Sequence, residues 1–340
     1  MNDVRNVNIG VLGLGAISQV VHLPILSQLE GVRLMAVCDV DHAKARMIAA
    51  RFGIPRVPLT DEQVFQSADL DAIVICTPSH LHHSQAKAAL QAGKHVLVEK
   101  PLALDAETAR DVVEVAESAG LSLMVAMNNR YRPDAAALRP FVRGGELGEI
   151  FLVRGAWLNR KMRILRPTWR HRRATAGGGA LMDLGVQTID LALWLLDYPS
   201  IESIACSIHK SEGFEVEDTA ALLMRVDNGC TISLTVGWSL VAERDRQYLR
   251  VLGTRGSGAM APLAVFKELE TGMVDVTPRI VPGRENLYTA SYRQEMEHFL
   301  ACVRGEEKLP VPREQIEIMR LVALAYRSAS ERREVPVQEG

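Results

Sequence analysis

Residues 8–18 decide the fold of this chain, and they read Asn8-Ile9-Gly10-Val11-Leu12-Gly13-Leu14-Gly15-Ala16-Ile17-Ser18. The short apolar run is typical of a buried strand, and the glycines that follow it are typical of a tight turn that opens a helix. Gly13 can adopt a turn that a side chain would obstruct, and Gly15 lets backbone N–H groups approach a pyrophosphate. The stretch therefore predicts a dinucleotide-binding turn, in which Ala16 and Ile17 also contact the cofactor.

A second strand follows at Leu34–Cys38 and ends in Asp39. A carboxylate there can accept hydrogen bonds from the adenosine ribose of NAD, and it would repel the 2′-phosphate of NADP. A glycine motif by itself is a weak signal, and a chance glycine turn is the alternative. Because strand, helix and acidic residue are in register, we interpret the segment as a cofactor site and favour NAD over NADP.

Length and composition narrow the class of protein. At 340 residues the chain has room for about two domains. Lys plus Arg number 39 against 41 Asp plus Glu, and a net charge of −2 argues against nucleic-acid and anionic-membrane partners. The five cysteines form no CxxC pair, which predicts reduced thiols, no metal site and a cytoplasmic location. The polar first residues and the lack of a long apolar run predict neither export nor a membrane span.

Strands and helices alternate up to residue 127. Ala72–Cys76, His95–Val98 and Leu121–Met127 read as strands, and the segments between them read as helices. This alternation is typical of a doubly wound parallel sheet with right-handed crossovers. We therefore predict an α/β Rossmann domain over residues 1–127.

The pattern changes after residue 127, because strand-like segments then follow one another with few helices between them. It predicts an α+β domain over residues 128–340 with an open, mostly antiparallel sheet. Two helical stretches within residues 291–330 end the chain and could pack back on the first domain. The strand-like segments are Ile150–Leu158, Ile201–His209, Thr219–Val226, Cys230–Trp238 and Gln247–Leu252.

The helix predicted over Ala180–Leu196 is apolar except for one polar stripe. Asp183, Gln187 and Asp190 share this face at i, i+4 and i+7, and a buried helix must pair such groups or line a cavity with them. The alternative is a core helix whose carboxylates bind neighbouring backbone, a role that suits Asp190 best. The preceding Gly177-Gly178-Gly179 would allow close approach of another backbone or a ligand.

Lys100 follows the strand His95–Val98, at the edge where parallel sheets bind ligands. Its ammonium could hydrogen-bond a reacting hydroxyl or carbonyl oxygen and stabilise the charge that develops during hydride transfer. A solvated loop residue is the alternative. Thr77 and Pro78 end another strand at the same edge, and we assign them to the nucleotide crevice.

Several short motifs occur in order: the glycine turn, Thr77-Pro78 with His82, Ala92–Val96 before Glu99-Lys100-Pro101, Asn128 with Arg130, Gly177-Gly178-Gly179 before Asp183, and Glu217-Asp218-Thr219. Their order and spacing resemble the glucose-fructose oxidoreductase / inositol dehydrogenase / MocA family over nearly the whole chain. The resemblance implies an NAD-dependent oxidoreductase of a sugar, cyclitol or sugar acid that forms homo-oligomers through its open sheet. It also implies catalytic positions at Lys100 and Asp183, and cofactor or active-site positions at His82, Glu99 and Asn128.

One position departs from the family's pattern. The family usually has a proton-exchanging histidine four residues after the aspartate, and Gln187 stands there in this chain. A carboxamide can fix the substrate but does not titrate near neutral pH, so it cannot act as a general acid or base. Three alternatives stay open. Lys100 is the base, His171 takes that role, or the chain has abandoned dehydrogenation for a redox-neutral, NAD-assisted lyase or glycosidase reaction or for a non-catalytic NAD-responsive role.

The segment from Ile150 to Met182 lacks acidic residues and is rich in cations. Guanidinium groups bind oxyanions through paired hydrogen bonds, so the segment suits a carboxylate or phosphate on the substrate. A solvated or subunit-facing surface is the alternative. The cations are Arg154, Arg160, Lys161, Arg163, Arg166, Arg170, Arg172 and Arg173.

Overall fold

The computed structural model describes residues 5–161, 168–211, 213–280 and 285–337. The chain divides into two compact units, of which the first comprises Met1–Asn128 and Tyr288–Ile316 and the second comprises Asn129–Leu287 and Glu317–Gly340. Two predicted substrate-binding cations, Arg163 and Arg166, lie outside the described residues. None of the helices in the described ranges has both the length and the apolar character that crossing a bilayer requires.

The sheet of the first unit has, within the described residues, five strands: β1 (Val7–Leu12), β2 (Val32–Cys38), β3 (Ala72–Ile75), β4 (His95–Val98) and β5 (Leu123–Val125). All neighbours are parallel, in the order β2-β1-β3-β4-β5, which confirms the predicted Rossmann sheet. The strand order reverses at β1, and sheets of this kind bind ligands outside the carboxyl ends of the strands at such a point.

The sheet of the second unit has nine strands in the described part of the chain: β6 (Ile150–Arg160), β7 (Ile201–His209), β8 (Thr219–Val226), β9 (Thr231–Leu240), β10 (Arg246–Gly253), β11 (Gly256–Met260), β12 (Ala264–Leu269), β13 (Gly272–Asp275) and β14 (Val335–Pro336). Their order is β13-β12-β11-β10-β6-β9-β8-β7-β14. Only β6 and β9 pair in parallel among these neighbours, so the predicted open and mostly antiparallel sheet is confirmed.

The α-helices of the described residues are α1 (Leu23–Leu26), α2 (His42–Phe52), α3 (Asp61–Phe65), α4 (Ser79–Gln91), α5 (Ala106–Ala119), α6 (Pro133–Arg143), α7 (Arg173–Ala176), α8 (Val186–Leu195), α9 (Leu287–Arg304) and α10 (Glu314–Glu331). Short 3₁₀ turns span Asn128–Tyr131 and Trp169–His171. The helix predicted over Ala180–Leu196 does not begin as an α-helix, because a π turn at Leu181–Gly185 precedes α8. A Cβ on Gly185 would lie 2.7 Å from Leu181 Cδ1, so glycine permits the packing of this turn.

The core of the first unit includes a helix from near the end of the chain. Tyr292, Met296 and Phe299 of α9 are buried in the same apolar cluster as Val7 and Ile9 of β1. These three positions follow the i, i+4, i+7 spacing of one helical face, which explains how α9 presents a single apolar stripe. Most of α10, from Glu317 onward, belongs to the second unit.

Candidate active site

The glycine turn lies directly against the end of β3. Gly13 has a φ of +81°, and a Cβ there would lie 2.7 Å from Thr77 N and 2.8 Å from the Cys76 carbonyl carbon. Both the backbone angle and the contact exclude a side chain at this position. A Cβ on Gly15 would meet nothing within 4 Å, so the backbone at Gly15 faces open space. Gly13 thus closes the turn, and Gly15 leaves room for a ligand.

Asp39 lies at the carboxyl end of β2 and is tied to the same turn. Its Oδ2 accepts the Leu14 N–H at 2.7 Å, and its Oδ1 accepts the Asp41 N–H and the Lys44 ammonium, each at 2.9 Å. Burial alone would raise the pKa of Asp39, but the Asp41 and Leu14 donors and Lys44 outweigh it and hold the pKa below 3.8. The carboxylate therefore stays charged, and it fixes the turn.

His82 holds two loops of this edge together. One ring nitrogen lies 2.7 Å from the Pro101 carbonyl oxygen, and the other lies 2.8 Å from the Thr77 carbonyl oxygen. Burial is the largest effect on its pKa and lowers it, so the ring is neutral at pH 7 and can donate to only one of the two oxygens. Pro78 is the N-cap residue of α4, which carries His82. The predicted contact between His82 and the cofactor stays a prediction.

Glu99 follows β4 and forms a buried pair with a residue from the other side of the glycine turn. Its Oε1 lies 2.7 Å from Nε2 of His22, whose side chain is fully buried in the π turn Ser18–His22. Burial lowers the pKa of His22, but Cys76 and then Glu99 outweigh burial and raise the pKa well above 6.5. Burial likewise raises the pKa of Glu99, and the His22 hydrogen bond and charge outweigh it. Both shifts favour an ionic pair, and the half-buried Lys100 is the next residue.

Asn128 ends the first unit with an unsatisfied carbonyl oxygen. Its Nδ2 donates to Ser291 Oγ at 2.9 Å, whereas its buried Oδ1 has no hydrogen-bond partner among the described residues. A buried amide oxygen without a donor is unusual in a folded protein, so a ligand donor is expected there. With the open space at Gly15 and the carboxylate of Asp39, this acceptor makes the edge chemically suited to a dinucleotide.

The triple glycine of the second unit has a packing explanation that involves Glu217. A Cβ on Gly178 would lie 1.9 Å from the Tyr326 hydroxyl oxygen, and one on Gly179 would lie 1.7 Å from the Glu217 carbonyl oxygen. Glu217 Oε1 accepts the N–H groups of Gly179 and Leu181 and the Tyr326 hydroxyl, at 2.9, 3.0 and 2.8 Å. The carboxylate thus caps the π turn that carries Asp183.

The three residues of the predicted polar stripe have different surroundings. Asp190 is fully buried and accepts both guanidinium contacts of Arg130, with Nε at 2.8 Å, and the Tyr198 hydroxyl at 3.3 Å. Gln187 is also buried, and its Oε1 accepts from Asn129 Nδ2 at 3.3 Å. Asp183 is only half-buried. Asp190 is therefore structural, as the sequence suggested.

His171 lies in a 3₁₀ turn that its own ring helps to close. Its Nδ1 accepts the Thr168 N–H at 3.0 Å. The ring stacks on Phe214 at a centroid distance of 5.0 Å and contacts Trp238 at 5.9 Å. Arg170, Arg172 and Arg173 are exposed in the adjoining residues. The ring is thus held by hydrogen bonds from the N–H and the hydroxyl of Thr168, at 3.0 and 3.1 Å, and by two aromatic contacts.

The structure brings the predicted residues of the first unit to one edge. Gly13, Asp39, Thr77, Lys100 and Asn128 all come at or just after the carboxyl end of a strand of the parallel sheet. Three residues make hydrogen bonds to the candidate site residues or to the turn that carries them, but no sequence pattern was strong enough to assign them a role. They are His22, Glu217 and Asn129, whose partners lie far away in the chain.

Comparisons with known proteins agree with this geometry. A family model described as an oxidoreductase family with an NAD-binding Rossmann fold matches residues 7–127, and a second, described as the C-terminal alpha/beta domain of an oxidoreductase family, matches residues 139–337. The inositol 2-dehydrogenase of Rhizobium meliloti (strain 1021) is 28% identical, with coverage of 97% of this chain and 99% of that protein. The D-glucoside 3-dehydrogenase of Escherichia coli (strain K12) is 25% identical, with coverage of 94% and 95%.

A solved structure extends the similarity to three dimensions. The crystal structure of GenD2 from gentamicin A biosynthesis, in complex with NAD, matches with a TM-score of 0.86 at 25% identity. The match covers 99% of this chain and 97% of that one. The fold of this chain is thus that of a protein known to bind NAD.

Proposed function

Because this chain belongs to the glucose-fructose oxidoreductase / inositol dehydrogenase / MocA family, we infer that it is an NAD-dependent oxidoreductase of a sugar, cyclitol or sugar acid. The reaction is hydride transfer between nicotinamide and a hydroxyl or carbonyl carbon of the substrate. Similarity to dehydrogenases named for inositol and D-glucosides supports this substrate class. The observation that carries the proposal is the glycine turn, closed against Thr77 and tied to Asp39.

The cofactor site that we propose is the carboxyl edge of the parallel sheet. The glycine turn would hold the pyrophosphate, and Asp39 would accept hydrogen bonds from the ribose. The buried Oδ1 of Asn128 supports a contact with a donor group of the cofactor. The proposed cofactor-binding residues are Gly13, Gly15, Ala16, Ile17, Asp39, Thr77, Pro78, His82, Glu99, Lys100 and Asn128.

The proposed catalytic residues are Lys100, Asp183 and Gln187. Lys100 would hydrogen-bond the reacting oxygen and stabilise the negative charge that develops on it. Asp183 would orient that oxygen or the lysine, and Gln187 would hold the substrate. The cap that Glu217 places on the turn before α8 supports this, because it fixes the backbone that carries Asp183.

The proton of the substrate hydroxyl needs an acceptor other than Gln187. We propose Lys100 over His171. The carboxylate of Glu99, the residue before Lys100, is paired with the buried His22. His171 would have to leave its Thr168 hydrogen bonds and its stack on Phe214 before it could take a proton.

The test compares Lys100→Ala and Asp183→Asn with Lys87→Ala, a matched control on α4 whose ammonium binds Asp111 at 2.8 Å. Reduction of NAD is followed by absorbance with panels of inositols, glycosides and sugar acids, and NAD binding is followed by calorimetry. The first two variants should lose turnover by about two orders of magnitude or more. Asp183→Asn should keep NAD affinity, and Lys100→Ala should keep it nearly intact, because it removes one of eleven proposed cofactor contacts. Wild-type turnover in Lys100→Ala would refute the catalytic assignment.

A second candidate is a reaction without net redox change, which the amide at Gln187 favours because it removes one route for the substrate proton. In this case NAD would oxidise the substrate transiently to enable elimination or glycoside cleavage. The cofactor would remain bound, and product would form without accumulation of reduced nicotinamide. Product analysis together with the absorbance record separates the two reactions.

Assembly and location are further proposals. We propose a homo-oligomer formed through the open sheet, supported by the alternation of buried and exposed residues along β8, where Leu223 is exposed. Light scattering, which measures the molar mass in solution, tests this by comparing Leu223→Lys with the wild type. The five free cysteines support a reducing compartment such as the cytoplasm, and the net charge of −2 supports a small-molecule partner over nucleic acid or membrane.

A further inference from the structure

A chain of polar side chains in the second unit leads from a buried arginine to Gln187. Arg132 binds Asp134 through both ends of its guanidinium, at 3.0 and 2.7 Å, and its Nη1 donates to Gln247 Oε1 at 3.0 Å. Gln247 Nε2 donates to Asn129 Oδ1 at 3.5 Å, and Asn129 Nδ2 donates to Gln187 Oε1 at 3.3 Å. Three side-chain amides thus connect the arginine to the candidate site.

Only one orientation of the three amides satisfies all these contacts. An arginine has donors and no acceptor, so the atom of Gln247 that faces Arg132 must be its oxygen. Its nitrogen then faces Asn129, which must present its oxygen there and its nitrogen to Gln187. A rotation of any one amide by half a turn would place two donors or two acceptors against each other. The direction is therefore set by the chemistry of arginine.

Burial makes this direction costly to reverse. Arg132 is 7% exposed, Asp134 1%, Asn129 3% and Gln187 5%. A misoriented Asn129 or Gln187 amide cannot exchange its lost hydrogen bond for one with bulk water. Gln247 is only half-buried, and its orientation is set by its hydrogen bond to Arg132. Asp134 holds the guanidinium in its plane by two contacts, so the first donor cannot turn away.

We propose that Arg132 locks Gln187 as a hydrogen-bond donor, so that Gln187 offers its N–H groups to the substrate while its carbonyl oxygen faces Asn129. This rests on the proposed function, in which Gln187 contacts the substrate. The substrate class that fits is a sugar or cyclitol derivative that presents a proton-free acceptor oxygen to this amide, as a carboxylate or a carbonyl does. Gln187 is then a specificity-determining residue, and Arg132, Gln247 and Asn129 are positioning residues.

Charge in the same unit favours this class. Arg170, Arg172 and Arg173 are exposed in the residues that lead to the triple glycine. Cations near a site favour ligands with negative or strongly polar oxygens. A hydroxyl oxygen also accepts hydrogen bonds, but it is a weaker acceptor than a carboxylate oxygen.

The first test reads the amide orientation without any turnover. A neutron crystal structure of the deuterated full-length chain with NAD distinguishes nitrogen from oxygen at Gln247, Asn129 and Gln187. The expected result is deuterium on Gln187 Nε2 and none at the atom that faces Asn129. A Gln187 nitrogen facing Asn129 would overturn the proposal. This measurement is independent of the proposed function, which fails only if no hydroxyl or carbonyl substrate reacts.

The second test uses binding and pH. Calorimetry of the NADH-loaded chain compares methyl D-glucuronoside with methyl D-glucoside, which differ only in a carboxylate at one carbon. The inositol ketone is titrated against the NAD-loaded chain, and inositol against the NADH-loaded chain, so that no reaction occurs. The wild type should bind the carboxylate or the ketone at least about tenfold more tightly than its hydroxyl counterpart, which is about 1.4 kcal/mol. Equal or weaker binding of both would overturn the substrate class.

Gln187→Glu supplies the decisive variant. The new carboxylate is an acceptor above its pKa and regains an O–H donor when it is protonated. Affinity for the acceptor ligand should fall about tenfold or more near pH 8 and return toward the wild-type value near pH 5. Gln91→Glu, on the exposed end of α4, is the control for added charge and should show no such pH dependence. A pH-independent loss in Gln187→Glu would contradict a donor role.

Gln247→Leu tests the relay itself. It leaves Asn129 without its donor, and affinity for the acceptor ligand should fall by about threefold to tenfold because Gln187 can then rotate. Combined with Gln187→Glu, the loss should be smaller than the product of the two single losses, since both act through one amide. Independent losses would show that Gln247 does not act through Gln187.

Discussion

The buried pair of His22 and Glu99 makes the sharpest test of the first unit. His22 is fully buried, Glu99 is 7% exposed, and their side chains meet at 2.7 Å. His22→Leu keeps the apolar surroundings of the ring but leaves the carboxylate of Glu99 buried without its cation. The matched control is His83→Leu. His83 Nε2 and Asp111 Oδ2 also lie 2.7 Å apart, but both side chains are roughly one-third exposed.

The expected magnitudes differ because the two pairs differ in solvent access. Removal of one member of a buried ion pair typically costs roughly 3–5 kcal/mol, since the other charge stays buried and uncompensated. Loss of an exposed pair costs about 0–1 kcal/mol. For a domain of this size the first value corresponds to a fall in Tm of roughly 6–20 °C. His83→Leu should lower Tm by at most about 4 °C.

Calorimetry and urea unfolding of the three chains measure these shifts. The double variant His22→Leu/Glu99→Leu should be much more stable than the sum of the single changes predicts, because an apolar pair can replace an ion pair in a core. If His22→Leu were no more destabilising than His83→Leu, the pair would not be ionic in the folded chain. The reading of Glu99 as a charge compensated by His22 would then be wrong.

The same pair predicts a dependence on pH. Because the pKa of His22 is raised, its contribution to the free energy of unfolding is complete below pH 6.5 and is lost as the pH rises through the raised pKa. Because the pKa of Glu99 is lowered, its contribution to the free energy of unfolding is complete above pH 4.5 and is lost as the pH falls through the lowered pKa. The stability difference between wild type and His22→Leu should therefore be greatest between these two values and smaller on either side.

Three further variants test other features. Gly15→Ala should change the free energy of unfolding by less than about 0.5 kcal/mol, since nothing lies within 4 Å of the new Cβ, but calorimetry should show weaker NAD binding. Gly179→Ala should cost about 1–3 kcal/mol or more in urea unfolding, because its Cβ would lie 1.7 Å from the Glu217 carbonyl oxygen. For Asp218, burial raises the pKa, but the Ser211 hydrogen bond, then His209, Ser239 and Thr219, outweigh it and lower the pKa to about 2. The carboxylate therefore stabilises the fold above pH 3.8 and ceases to do so as the pH falls through about 2. In acid unfolding, the difference in the free energy of unfolding between wild type and Asp218→Asn should disappear over that pH range.

The sequence predicted the features that are encoded locally. The strand, glycine turn and Asp39 lie within one short βαβ unit, so their spacing alone indicates a nucleotide site. The strands β11 and β13 were not predicted, because they are short and contain glycines at Gly256, Gly258 and Gly272, which weaken a strand pattern. The strand β12, which has no glycine, was not predicted either. The helix α6 begins with Pro133 and contains Pro140, and the sequence analysis assigned no helix there.

The contacts that give the site its chemistry are long-range, which is why the sequence did not predict them. His22 and Glu99 are 77 residues apart, Asn129 and Gln247 are 118 apart, and Glu217 and Tyr326 are 109 apart. A polar residue in a buried segment shows that a partner is required, but the pattern cannot say which one. Gln187 was therefore identified as a non-titrating residue, and its partners became visible only in the fold.

Charged groups set the direction of the neutral polar groups around them in the second unit. Arg132 can only donate hydrogen bonds, so the amide that contacts it must present its oxygen. Glu217 as a carboxylate can only accept them, so the groups that contact it must be donors. Gln187 is the last residue in the series of hydrogen bonds that starts at Arg132. The π turn that carries Asp183 begins at the N–H groups that Glu217 binds. An amide in place of a histidine is therefore more than the loss of a titrating group. In the proposed role, an orientation fixed by a distant charge would let Gln187 discriminate between acceptor and donor groups on the substrate, which a freely rotating amide could not do.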